Sequence, residues 1–147
     1  LAYSIHMRKK KKENIKHIIY ASRPFGFDDS VLKSILLSSR ANNAKVGVTG
    51  ALICRADLYL QLLEGPQAAV EETFERIRKD DRHLEICPLK SGFYDRRLFA
   101  TWAMRDDEVK TWMWSPEEVK RGIVWNLNPE EALFVFKRLS REVDQFD

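Results

Sequence analysis

The chain has 147 residues, 44% hydrophobic and 32% charged, a balance that fits one folded domain and excludes a disordered one. Its 25 Lys and Arg against 22 Asp and Glu give a net charge of +3, but five positive charges form the run Arg8–Lys12, and without them the balance is 20 against 22, or −2. A body of that sign gives no electrostatic case for a nucleic-acid partner, and no stretch approaches the roughly 20 apolar residues of a membrane span.

Residues 1–14 are set aside as a leader. Leu-Ala-Tyr-Ser-Ile-His-Met has no signal-peptide pattern and reads as expression-vector residue before Met7. Ile15–Ser22 is short, apolar and β-branched and reads as a strand, broken by Pro24 and Gly26. Asp28, Asp29 and Ser30 offer helix N-caps, and Leu32, Ile35, Leu36 and Ser39 follow at helical spacing, which predicts an amphipathic helix over 29–42 with Asn42-Asn43 as its stop. Lys45–Ile53 and Leu58–Leu63 read as a hairpin around Arg55-Ala56-Asp57, with Gly47 and Gly50 marking close approach of neighbouring backbone. Gly65-Pro66 opens a second helix over 66–80, whose buried face is Val70, Phe74 and Ile77. Leu84–Phe93 and Ala100–Arg105 complete the strands.

This order predicts an α+β, ferredoxin-like βαββαβ fold with an added fifth strand and two helices on one sheet face. Residues 15–107 would form the core and 108–147 a C-terminal helical cap. The cap holds Trp112, Trp114 and Trp125, a helix start at Asn128-Pro129, and the apolar stripe Ala132, Leu133, Phe136, Leu139 and Val143. It would cover the second sheet face, transmit a signal or form an oligomer, and these roles are compatible. Cys54 and Cys87, both in apolar stretches, read as free buried thiols of a reducing compartment, which places the chain in the cytoplasm.

Enzyme signatures are sparse. His17 and His83 have no metal-ligand spacing, so no metal is expected. There is no nucleophile elbow, P-loop or dinucleotide fingerprint, and nothing brings Glu64 and Asp80 together as an acid–base pair. What stands out is a set of neutral polar residues inside apolar elements: Tyr20, Ser39, Asn42, Asn43 and Gln61. A buried amide without partners costs roughly 1–3 kcal/mol. Together these residues describe a polar slot between two helices, suited to a flat heteroaromatic ligand with donors and acceptors on its rim.

The same residues carry a resemblance. Ile18-Ile19-Tyr20-Ala21-Ser22, Ser39-Arg40-Ala41-Asn42-Asn43, Val46–Leu52, Leu60-Gln61-Leu62-Leu63-Glu64-Gly65-Pro66, Lys79-Asp80-Asp81-Arg82-His83 and Thr101-Trp102-Ala103-Met104-Arg105 occur in the order and spacing of the BLUF family, flavin-binding sensors of blue light. The chain resembles that family over about 15–107. The resemblance implies a non-covalently bound FAD between the two helices, with FMN or riboflavin as substitutes in recombinant protein. It implies that Tyr20 is the photoactive electron and proton donor and that Gln61 links it to the flavin. Asn43 would hydrogen-bond the flavin carbonyl edge, with Asn42 and Ser39 beside the ring or in the glutamine network. Arg76 and Asp80 would lie near its polar side, and Ile35, Val48 and Ile77 would form apolar walls. Trp102 and Met104 match the pair whose placement beside the glutamine varies in the family.

Such a chain would be a non-enzymatic photoreceptor, because 147 residues leave no room for a cyclase or phosphodiesterase output domain beside the core. It would signal through the fifth strand and the C-terminal helices to a separate protein, and a homo-oligomer is expected. The competing readings are a non-photochemical ferredoxin-like module for a small ligand and an acylphosphatase-like hydrolase, the latter lacking an anion-cradling loop.

Overall fold

The computed structural model describes residues 14–26 and 28–146, with side chains to residue 142. The basic run, the leader before Asn14 and the side chain of Val143 therefore lie outside the described residues. Ten residues, Ile15–Pro24, form β1. Asp29–Val46 forms α1, capped by the Asp28 carboxylate, which accepts from Val31 N–H at 2.8 Å. Thr49–Arg55 (β2) and Leu58–Gly65 (β3) make the hairpin, Gln67–Arg78 forms α2, and His83–Tyr94 forms β4. After a crossing segment come β5 (Arg105–Glu108), a short helix α3 (Pro116–Lys120), a 3-10 turn at Val124–Asn126, and α4 (Pro129–Phe146).

Several boundaries differ from the sequence reading. Asn42-Asn43 does not stop α1. The helix runs on to Val46, and Gly47 caps it with φ 74°, a left-handed conformation that only glycine adopts without steric cost. The strand expected from Lys45 therefore begins at Thr49. The helix expected over 66–80 spans Gln67–Arg78, with Pro66 as its cap residue. The fifth strand is Arg105–Glu108 rather than Ala100–Arg105. The sheet order β4-β1-β3-β2-β5 gives the reason. The chain must pass from one sheet edge to the other, four strand spacings or about 19 Å, and residues 95–104 are spent on that crossing.

The sheet is ferredoxin-like: β1 is antiparallel to β3 and β4, β3 is antiparallel to β2, and the added β5 runs parallel to β2. Alternation along each strand separates two cores. Ile18, Tyr20, Leu52, Tyr59 and Leu63 face α1 and α2, where they meet Ile35, Leu36, Val70 and Phe74. Ile19, Ala21, Ala51, Ile53, Leu60 and Leu62 face the other way and meet Val119, Val124, Leu133, Phe136 and Leu139 of the C-terminal helices. The helical extension thus packs on the second face. Trp112, Trp114 and Trp125 pack partly buried against that core, and Phe134 on α4 is exposed. Asn128 and Glu131 cap α4 reciprocally, each side chain accepting from the other's N–H at 2.8 and 2.9 Å. Cys54 is buried and Cys87 only half-buried, both as free thiols. Among the described residues, no helix is long and apolar enough to cross a membrane.

Candidate functional site

A narrow, half-enclosed slot opens between α1 and α2. Ile35, Ser39, Asn42 and Asn43 line it from α1, Arg76 and Ile77 from α2, and Gln61 forms its floor, with Asp80 at one end. These eight residues were all expected at the site, and the split βαβ connections bring them together by laying both helices over β3. Val48 is buried in the core beneath the helices and does not line the slot. Residues that the sequence reading did not assign to the site complete the lining: Ser38, Leu63, Thr73, Arg82 and His83. Ser38 and Thr73 lie three or four positions from Ile35, Asn42 and Ile77, so helical spacing points to them. Arg82 and His83 belong to the Lys79–His83 motif.

Behind the floor sits Tyr20, fully buried, its hydroxyl donating to Gln61 Oε1. Burial first, and then the nearby Asp80 charge, push the Tyr20 hydroxyl well above the ordinary tyrosine range, so the phenol is neutral. The other end of the Gln61 amide, Nε2, points at Met104 Sδ, 3.3 Å away. Of the pair singled out in the sequence, Met104 is buried on Gln61, whereas Trp102 is 41% exposed and uses its carbonyl to accept from Gly50 N–H. A glutamine amide has two acceptor and two donor positions. Here one oxygen position is used and one N–H meets only a weak sulfur acceptor, which leaves hydrogen-bonding capacity at the slot floor.

The rim is held by neighbours. Asn43 Nδ2 donates to Ala103 O at 2.9 Å, leaving its second N–H and its oxygen available. The Asp80 carboxylate is bound by the Arg82 guanidinium at 2.5 and 2.9 Å, which holds it below the usual carboxylate range, and Arg82 also reaches Ser34 Oγ at 3.0 Å. Arg76 leans on Thr73 Oγ1 at 3.4 Å. His83 Nδ1 pairs with Ser22 Oγ at 2.9 Å, and the ring lies edge-on to Tyr20. Burial lowers its pKa to about 4, so it is neutral at physiological pH. Among the described residues, no group of three or more His, Cys, Asp or Glu could hold a metal ion.

Glu64 lies on the opposite sheet face from Asp80. It is fully buried and accepts from Tyr94 Oη, Thr49 Oγ1 at 2.9 Å, Leu98 N–H at 2.9 Å and Phe99 N–H at 2.8 Å. It fastens the crossing segment and cannot act together with Asp80.

The chemistry of this lining suits a flat ring with polar edges. The slot has apolar walls in Ile35, Leu63 and Ile77, and amide, hydroxyl and guanidinium groups at the rim. Comparison with known proteins agrees with that reading. The family model described as BLUF, sensors of blue-light using FAD, matches residues 15–105. The dark-state structure of BlrB, a BLUF protein, superposes with a TM-score of 0.74 at 26% identity, covering 90% of this chain and 99% of that one. The ground state of BlsA gives a TM-score of 0.69 at 28% identity, covering 86% and 87%. Photoactivated adenylate cyclase subunit beta of Euglena gracilis is 31% identical over 91 residues, 61% of this chain and 10% of the relative. The chain therefore spans about a tenth of the length of the cyclase relatives it matches.

Proposed function

The chain belongs to the BLUF family, sensors of blue light using FAD, and from that premise we propose that it is a photoreceptor in which Tyr20 and Gln61 convert light absorption into a change of hydrogen bonding. The observation that carries this reading is the Tyr20–Gln61–Met104 chain at the slot floor: a neutral buried phenol, an amide with spare capacity, and a weak sulfur acceptor.

Asn43, Asn42, Gln61, Arg76 and Asp80 would hold the polar edges of the flavin, with Ile35 and Ile77 on its faces. Ser39 would support the amide network. When bound and excited by blue light, the flavin supplies a one-electron oxidant. Tyr20 is the donor, and loss of an electron makes its phenol strongly acidic. The Tyr20 Oη proton would pass to Gln61 Oε1, with which it already shares a hydrogen bond, and the amide would hold it until the electron returns. When the electron returns, the amide would give one proton back to Tyr20 Oη, which restores the phenol and leaves the amide rotated or tautomerised. Glutamine suits this role because one end donates and the other accepts; an ionised glutamate would have no donor. The cysteines take no part. Cys54 points away to Asp107 O at 3.5 Å, and burial raises its pKa to about 12, so no thiolate is at hand.

The output route runs along the crossing segment. Met104 touches Gln61 at one end, and Phe99 at the other meets Phe136 of α4 edge-on, with ring centroids 6.4 Å apart. A shift at Gln61 would reposition α4, which then signals to a separate protein. Core 15–107 and cap 108–147 thus act as sensor and reader.

The test is the absorption spectrum of the flavin-loaded chain before and after blue light. A small reversible red shift of the whole flavin band, lost in Tyr20→Phe and Gln61→Ala, is expected. A colourless protein, or bleaching of the band through a covalent adduct, overturns the reading.

A further inference from the structure

Residues Trp102–Met104 lie outside the strands, yet each of their three successive carbonyls is taken. Gly50 N–H donates to Trp102 O at 3.1 Å, Asn43 Nδ2 to Ala103 O at 2.9 Å, and Arg40 Nε to Met104 O at 3.0 Å. Arg40 also reaches forward, Nη2 donating to Asp106 Oδ1 at 2.9 Å. Gly50 acts through its main chain and Asn43 lines the slot. Arg40 does neither: its side chain is 46% exposed and outside the slot lining.

We propose that Arg40 is a positioning residue for the photoreaction. Its guanidinium clips Met104 O and the Asp106 carboxylate together and so holds the Met104 thioether on Gln61 Nε2. Three features support this. Methionine is unbranched and has three rotatable bonds, so its sulfur stays on one target only if the main chain is fixed. Sulfur is a weak acceptor, and the 3.3 Å contact cannot hold the segment by itself. A planar guanidinium presents donors in fixed directions and spans a carbonyl and a carboxylate two residues on, which a lysine ammonium cannot do with the same geometry. The inference rests on the proposed function in one respect, that the Gln61 amide is the group that switches.

The test reads Met104 directly and in the dark. The flavin-loaded chain is labelled with ¹³C at its methionine methyl groups, which gives resonances for Met7, Met104 and Met113, the second assigned by Met104→Leu. Arg40→Ala is expected to move or broaden the Met104 resonance while leaving Met113 in place. Arg40→Lys should not restore it, and Asp106→Asn should move it less, in the same direction. In the same samples, dark recovery after illumination should be about fivefold faster in Arg40→Ala. A Met104 resonance at its wild-type position in Arg40→Ala overturns the proposal. If that variant does not fold, wild-type positions in both Arg40→Lys and Asp106→Asn overturn it. A wild-type chain without a light-induced red shift would reject the photoreceptor reading instead, and the dark methyl spectra would still report whether Arg40 places Met104.

Discussion

Strand β3 carries two buried polar side chains, three residues apart and on opposite faces of the sheet, and they are built in opposite ways. Glu64 is saturated. Its two oxygens receive four donors, from Tyr94, Thr49, Leu98 and Phe99, which fills the roughly four lone-pair sites of a carboxylate. Gln61 is under-used, with a phenol on its oxygen, a sulfur on its nitrogen and an open slot beside it. A saturated group cannot move without losing bonds of about 1–3 kcal/mol each. A half-satisfied amide has other arrangements at similar energy. The same strand thus holds a fixed anchor for the crossing segment and a group that can switch, and Met104 and Phe99 are the points where the segment meets each.

Four substitutions test that division. Tyr20→Phe removes the proton donor to Gln61 and should abolish the red shift completely while the flavin remains bound, as read by light-minus-dark absorption. Phe136→Ala empties a fully buried ring site against Phe99 and should cost about 3–5 kcal/mol in urea unfolding, with the red shift retained. Glu64→Gln turns one acceptor oxygen into a donor amide facing N–H and O–H donors. It should cost about 2–3 kcal/mol and leave the red shift in place, whereas its loss would mean the two polar groups are not separable.

The smallest effect concerns His17. Its ring is buried on the face of Glu64, stacks on Tyr94 at 4.4 Å, and has neither nitrogen hydrogen-bonded. Burial, helped by Lys90 and Lys16, lowers its pKa from 6.5 to about 4. The unfolded chain therefore binds a proton more readily, so this contribution is whole above pH 6.5 and is lost as pH falls toward about 4. His83 adds a slope of the same sign over the same window. His17→Phe should change stability at pH 7 by less than about 1 kcal/mol and flatten the acid limb of a stability–pH curve, leaving the part owed to His83.

Much of this was legible in the sequence, for physical reasons that can be named. The spacing of Ile35, Ser39 and Asn42 is fixed by the helix period, so the face of α1 could be read directly. The isolated amide of Gln61 in an apolar run marked the site. The end of α1 could not be placed from the two asparagines, because the stop depends on the left-handed turn at Gly47. The position of β5 was hidden because the length of the crossing depends on sheet order, which is a tertiary property. For the same reason the sequence did not distinguish Met104 from Trp102 at Gln61. That choice is made by Gly50, Asn43 and Arg40 holding the segment between them. The partners of Glu64 are residues 94–99 and Thr49, distant in sequence except for their meeting on one strand end.

The central claim, that the Gln61 amide rearranges while the Glu64 anchor stays fixed, is most directly tested by light-minus-dark infrared spectroscopy on chain carrying ¹³C at the glutamine side-chain carbonyl, with Gln67→Ala and Gln145→Ala present to leave Gln61 as the labelled amide. The account predicts a carbonyl difference band that moves with the label, with no difference band that disappears in Glu64→Gln. A difference spectrum untouched by the glutamine label, or a carboxylate band that vanishes with Glu64, would contradict it.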